Sequence, residues 1–289
     1  EGMPMQPIDV DKTYHFFNPR AGVSYRLGER NSFFFSFAVA QKEPTRGDFT
    51  DRYMFTADYT YPSSEKLYDW ELGYTYTAPR LSLGVNLYYM KYKDQLVPMG
   101  RINDGYDALN DNVDDSYRRG VELSASWKVT GWFTASANAT FSQNRIESYV
   151  DALKDSPTYG KELGDMTIAY SPDVIANAFL NFHHRGFEAV FHTQHVGKQY
   201  FTNNENDALS LDAYCVTNLN LAYTFRTRSA RSVRLGLLIN NLFNAEYESN
   251  GYGYSYMDTW SGPAPVRIDE AYYFPQAPLN VLANVTVKF

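Results

Sequence analysis

Cysteine and long apolar runs are nearly or wholly missing from this 289-residue chain. The single cysteine, Cys215, excludes an internal disulfide framework and a cysteine-based zinc site within the chain. No stretch approaches the roughly 18 consecutive apolar residues that a membrane-spanning helix needs, and mean hydropathy is −0.45. The opening residues Glu1-Gly-Met-Pro-Met-Gln-Pro7 lack the basic region and apolar run of a secretory signal. Basic residues are also short: 26 Lys and Arg face 33 Asp and Glu, a net charge of −7. That balance argues against nucleic acid as a partner, because nucleic-acid binding needs a basic footprint.

Aromatic residues, by contrast, are abundant: 17% of the chain, with 25 Tyr and 19 Phe. Rings of this kind collect where one end is apolar and the other wet, as at the two interfaces of a bilayer. The last eleven residues, Leu279 to Phe289, show how such a chain could meet lipid without a helix. Leu279, Val281, Ala283, Val285, Val287 and Phe289 alternate with Asn280, Leu282, Asn284, Thr286 and Lys288. Successive side chains of a strand point to opposite faces, so this segment has one apolar and one mostly polar face. An alternating strand of about ten residues ending on an aromatic carboxy-terminus is the pattern of a closing outer-membrane barrel strand.

The same period recurs upstream. Leu81, Leu83, Val85, Leu87 and Tyr89 alternate with Ser82, Gly84, Asn86 and Tyr88, and Phe133 to Phe141 alternate with Thr134 to Ser142. The fold class expected is all-β, a transmembrane antiparallel β-barrel. Eleven strands are expected, at roughly 17–27, 32–42, 67–78, 81–93, 115–129, 132–146, 169–183, 187–200, 212–226, 232–247 and 276–289. Short connections alternate with long ones at roughly 43–66, 94–114, 147–168, 201–211 and 248–275. Short turns on one rim and long loops on the other describe an outer-membrane barrel. Eleven is odd, whereas single-chain bacterial barrels have even strand numbers. It is half of 22, the size of plugged outer-membrane transporters. Residues 1–289 are therefore expected to be the carboxy-terminal portion of a 22-stranded barrel.

Six segments, in order, resemble the TonB-dependent outer-membrane receptors. They are Phe17-Asn-Pro-Arg-Ala-Gly-Val-Ser-Tyr25, Ser36 to Thr45, Trp70-Glu-Leu-Gly-Tyr74, Arg119-Gly-Val-Glu-Leu123, Asn240-Asn-Leu-Phe-Asn-Ala-Glu-Tyr247 and Tyr273-Phe-Pro-Gln-Ala277 followed by the Phe289 strand. The Pro-Gln-Ala ending looks most like receptors of the Bacteroidetes. The resemblance implies an amino-terminal plug and a first barrel half that lie outside this sequence. It further implies a TonB complex engaged through that missing part, and the outer membrane of a Gram-negative bacterium as location. The activity implied is TonB-coupled uptake of a scarce ligand, with an iron–siderophore first and cobalamin, haem or glycans after it. A glycan importer would add a surface lipoprotein lid.

Ligand contacts are expected from the long loops, since loops on a rigid scaffold carry function. Tyr252, Tyr254, Tyr256 and Trp260 interleave with Gly251, Gly253 and Ser255, and either stack a ligand or belong to an upper aromatic girdle. Arg46, Arg52, Tyr53 and Tyr59, with Tyr61, set cations beside aromatics, which suits an anionic iron chelate. Glu122 has the parity of the barrel interior, where it would contact the plug. His192 and His195 are three apart, hence on opposite strand faces, so no metal site and no cofactor is expected. The haem receptors' loop motif is replaced here by Gln41-Lys-Glu-Pro-Thr45. Ser142, Asp151 and His192 could suggest a hydrolytic triad, but no nucleophile motif surrounds them, and no catalytic residue is expected. A passive porin is the remaining alternative.

Overall fold

A computed structural model of the chain describes residues 10–50, 61–102, 108–153 and 155–289. In chain order its elements are β1 (Arg20–Leu27), β2 (Asn31–Lys42), α1 (Arg46–Thr50), β3 (Glu65–Thr77), β4 (Leu81–Ile102), β5 (Ala108–Lys128), β6 (Phe133–Ile146) and β7 (Met166–Thr167). Then come β8 (Val174–His184), β9 (Phe187–Val196), β10 (Gln199–Tyr200), β11 (Ser210–Leu211), β12 (Tyr214–Phe225), β13 (Ser232–Asn240), β14 (Glu248–Asp258), β15 (Val266–Pro275) and β16 (Asn280–Lys288). Eleven of these form one continuous antiparallel sheet in the order β1-β2-β3-β4-β5-β6-β8-β9-β12-β13-β16, with β7 added beside β6. They are the eleven strands that alternation predicts.

Register carries the alternation across strands. Leu72 faces Leu87, Leu87 faces Val121, and Val121 faces Phe141, so one face is apolar over many neighbours. The opposite face pairs Asn86 with Glu122 and Asn138 with Asn177. It is the apolar face that lies open: Val23 is 64% exposed, Leu72 51%, Trp127 54% and Val285 65%. A water-soluble monomer rarely exposes a contiguous apolar surface of this extent. Among the described residues no helix is long and apolar enough to cross a membrane, which leaves strands free to do so.

The turns are local in origin. β8 and β9 are joined by Arg185 and Gly186, both at positive φ (49° and 84°), the geometry of a type I′ hairpin whose twist matches its strands. Two glycines inside strands have a different cause. Gly73 lies opposite Phe34 and Gly120 opposite Tyr88, and in each case the ring covers the space a methyl group would fill. Such rings restore the packing that a strand glycine forfeits.

Two expectations about loops need correction. Residues 94–114 are mostly strand: β4 runs on to Ile102 and β5 starts at Ala108. Here Asp94 and Asp111 are mixed with an unbroken apolar run, Leu96-Val97-Pro98-Met99, so neither strand end has a two-residue period and period-2 reading stops where the ladder does not. Residues 248–275 form the hairpin β14–β15, and 199–211 contain β10 and β11. Several strands also end earlier than expected: β13 at Asn240, β9 at Val196, while β8 starts at Val174 after Pro172.

Candidate functional site

The buried clusters sit among the long connections, not under the sheet. Val97, Ile146, Tyr149 and Ile168 form one; Phe201, Leu209 and Leu211 form another, against which Ala271 packs. Asn203, fully buried, ties three segments together: its Nδ2 donates to Pro98 O at 2.6 Å, and its Oδ1 accepts from Ala169 N at 2.7 Å. The long-loop rim is therefore a packed body.

The β14–β15 hairpin is the part of that body most suited to a ligand, and its two faces differ. Gly251, Gly253, Ser255 and Met257 form the inner face, where Phe201 comes so close to both glycines, and Leu209 to Gly253, that a side chain there would overlap them. On the outer face Tyr252 pairs with Tyr272 and Tyr254 with Glu270. The Tyr252 and Tyr272 rings stack at 4.9 Å and 13°, and Tyr256 lies parallel to Trp260 at 6.2 Å and 3°. Glu270 gathers the tyrosines, accepting from Tyr254 Oη at 2.7 Å, Tyr272 Oη at 2.9 Å and Tyr256 Oη at 3.1 Å. Those donated bonds, from Tyr254 and Tyr272 first, hold the Glu270 carboxyl below its ordinary range. The same bonds push Tyr254 and Tyr272 up, while for Tyr256 desolvation comes first and Glu270 second. The face is thus an aromatic ladder around one ionised carboxylate, with Trp260 74% exposed at its tip.

Of the sequence-predicted residues, Tyr252, Tyr254, Tyr256 and Trp260 come together on this face. Arg46 does not join them; it opens α1, which is capped by Thr45 and Asp48 through Thr45 N to Asp48 Oδ2 at 2.7 Å. Asp48 also accepts from Asn110 Nδ2 at 3.0 Å, which anchors α1 to β5. Arg52, Tyr53 and Tyr59 lie outside the described residues. Glu122 is on the polar face, its Oε2 3.2 Å from Asn86 Nδ2, beside a cavity of about 350 Å³ that Glu71, Tyr88 and Arg118 also line. His192 stacks on Phe179 and meets Asn177 at 3.0 Å, while His195 pairs with Cys215 on the apolar face, so the two histidines do diverge. Sequence reading missed Glu270, Phe201 and Asn203. Alternation of Tyr252, Tyr254 and Tyr256 was the available signal for Glu270, since it marks a strand whose partner must supply a facing row.

Aromatic rows mark the edges of the apolar band. Phe37, Trp70 and Tyr89 stand in register near the long-loop rim, and Leu81 pairs with Trp127 near the short-turn rim. The eight steps from Tyr89 to Leu81, at about 3.4 Å each and a tilt of about 40°, span about 21 Å, close to the apolar band of an outer-membrane barrel.

Comparison with known proteins agrees. Residues 5–242 match the family model described as TonB dependent receptor-like, beta-barrel. The fold is similar to that of the ferric yersiniabactin uptake receptor of Yersinia pestis, at 18% identity and a TM-score of 0.64, over 93% of this chain and 37% of that one. It is similar to the ferric-catecholate import receptor of E. coli at 18% identity and 0.62, over 92% and 34%, and to the copper transporter OprC at 18% and 0.67, over 93% and 39%. This chain spans less than two fifths of the length of each. The apolar band, the two unequal rims and the family match lead to one conclusion: the chain belongs to the TonB-dependent receptor family and is an antiparallel β-barrel segment of a Gram-negative outer membrane.

Proposed function

We propose that residues 1–289 are the carboxy-terminal half of a receptor for energy-coupled uptake, completed by an amino-terminal plug and eleven further strands. Its extracellular loops capture a scarce ligand, and TonB, driven by the proton-motive force, then rearranges the plug. Glu122 and its polar neighbours Glu71 and Arg118 face the side on which the plug would stand. The chain carries no catalytic role in this reading.

The observation that carries the proposal is the aromatic face of β14–β15, held on a packed base at the long-loop rim. Flat rings presented on a braced hairpin suit a ligand with planar, partly apolar faces, and an iron–siderophore is the first choice. Arg46, Arg52, Tyr53 and Tyr59 would add charge and aromatic contact for an anionic chelate. Two of the structural neighbours are named for ferric chelates, which favours the same class. Glycan import is the second reading, supported by the Glu270 carboxylate in the middle of the rings, an acceptor for sugar hydroxyls.

Equilibrium binding and uptake by the full-length receptor test this. With a ferric siderophore as probe, Y252A/W260A is expected to weaken binding about tenfold or more, as loss of central aromatic anchors does. Uptake should cease without TonB. An unchanged affinity, or a purified receptor that retains oligosaccharide in place of iron, would replace the siderophore reading with the glycan one.

A further inference from the structure

Directly above the Phe37–Trp70–Tyr89 row, the outward face changes from apolar to cationic. In the next rows Lys91 lies between Tyr68 and Tyr117, and Lys93 lies between Lys66 and Asp115; Arg119 pairs with Tyr89 in the aromatic row itself. All four cations share the parity of Leu72, Leu87 and Val121, so they stand on the membrane side of the wall. Two carboxylates are among them. Asp115 meets Lys91 at 2.9 Å and Lys93 at 2.6 Å, and Glu147 also binds Lys91. Lys66 instead rests 4.9 Å over the Tyr68 ring, and Arg119 is held by Gln143 Oε1 and lies 5.1 Å over Tyr117. Neither has a carboxylate partner among the described residues, so the patch keeps an excess of positive charge.

We propose that Lys66, Lys91, Lys93 and Arg119 bind the phosphorylated headgroup of an outer-leaflet glycolipid. Charge complementarity is the first argument: an anionic membrane surface attracts cations placed at its level. Height is the second, because the patch begins at the aromatic row that marks the interface. A free anion would need no apolar surface beneath it, yet one is present. Two residue pairs below Arg119, about 14 Å along the strands, the same face holds an apolar hollow of about 520 Å³. Leu123, Val85, Ala139 and Ala176 line it, small side chains leaving a channel beside larger ones. Cations over an apolar channel fit a lipid, headgroup above and acyl chain below. β3 to β5 lie inside the sheet path, away from its two ends, so further barrel strands would leave the patch uncovered. The proposal is independent of which ligand is transported.

The test reconstitutes the full-length receptor in phosphatidylethanolamine vesicles containing either diphosphorylated lipid A or its dephosphorylated form. After detergent extraction, native mass spectrometry counts glycolipid retained per receptor. Wild type should retain the diphosphorylated form well above the dephosphorylated one. K66Q/R119Q, which leaves Asp115 and Glu147 paired, should lower that retention roughly tenfold, and the charge-preserving K66R/R119K should keep it. Equal retention of the two glycolipids by wild type would overturn the proposal, as would wild-type retention by K66Q/R119Q. Loss in K66R/R119K would overturn it too, and that variant and the lipid comparison decide the matter if K66Q/R119Q fails to insert.

Discussion

Glu270 shows how much one side chain organises at the rim. Its depressed pKa means that its bonds to Tyr254, Tyr272 and Tyr256 stabilise the hairpin at any pH above the ordinary glutamate value. That contribution is lost as pH falls through the lowered value. The raised tyrosine pKa values act at the other end: the neutral phenols hold up to and beyond the ordinary tyrosine range, and the contribution is lost as pH rises through the elevated values. The cluster should therefore stay assembled from mildly acidic to moderately alkaline pH. E270Q removes the charge that holds the phenols protonated. Its tyrosinate absorbance should rise at lower pH than wild type, by an amplitude of up to three tyrosines. Superimposable titration curves would show that the carboxylate does not govern them. Gly120 offers a second check at this scale. A methyl group there overlaps the Phe141 carbonyl as well as the Tyr88 hydroxyl, whereas at Gly73 it overlaps only the movable Phe34 ring. G120A should thus lower stability by about 1–3 kcal/mol, and G73A by less, read from the temperature at which the folded band is lost on electrophoresis. Equal losses would mean that the backbone clash is relieved by other means.

At the scale of elements, the eleven sheet strands were legible because each has an apolar face with a two-residue period, as in Leu81 to Tyr89 or Leu279 to Phe289. What escaped were strands without such a face. The upper parts of β4 and β5 mix charged residues with an unbroken apolar run, Leu96-Val97-Pro98-Met99, and β14 hides its buried side behind Gly251 and Gly253, which give periodicity nothing to count. The candidate tyrosines were legible as a cluster, but Glu270 sits fourteen to sixteen residues away and reaches them only through a register that the sequence does not print. Phe201 was equally hidden, since the pair Tyr200-Phe201 at a strand end carries no alternation to follow. Its burial at 1% exposure against the hairpin makes it the support of the candidate site. F201A should remove about 3–5 kcal/mol of packing, local to this region. Proteases should then cut within 248–275 while the eleven strands of the main sheet stay protected. Protection equal to wild type would mean that the hairpin does not depend on this base.

For the molecule as a whole, the decisive feature is that the sheet has two ends. Among the described residues β1 pairs only with β2, and β16 only with β13, so each leaves a row of unpaired backbone donors and acceptors. In hydrocarbon such an edge is prohibitive, because no water is there to satisfy it, and closed barrels are the only spanning sheets. The proposed receptor half supplies what such edges need, since its further strands would pair with both. Intact-mass measurement of the folded, heat-modifiable barrel purified from outer membranes tests this directly. The expected particle is well above the 33.1 kDa of these 289 residues and contains further strands in a longer chain or in a second one. A folded, heat-modifiable barrel of 33.1 kDa alone would contradict it.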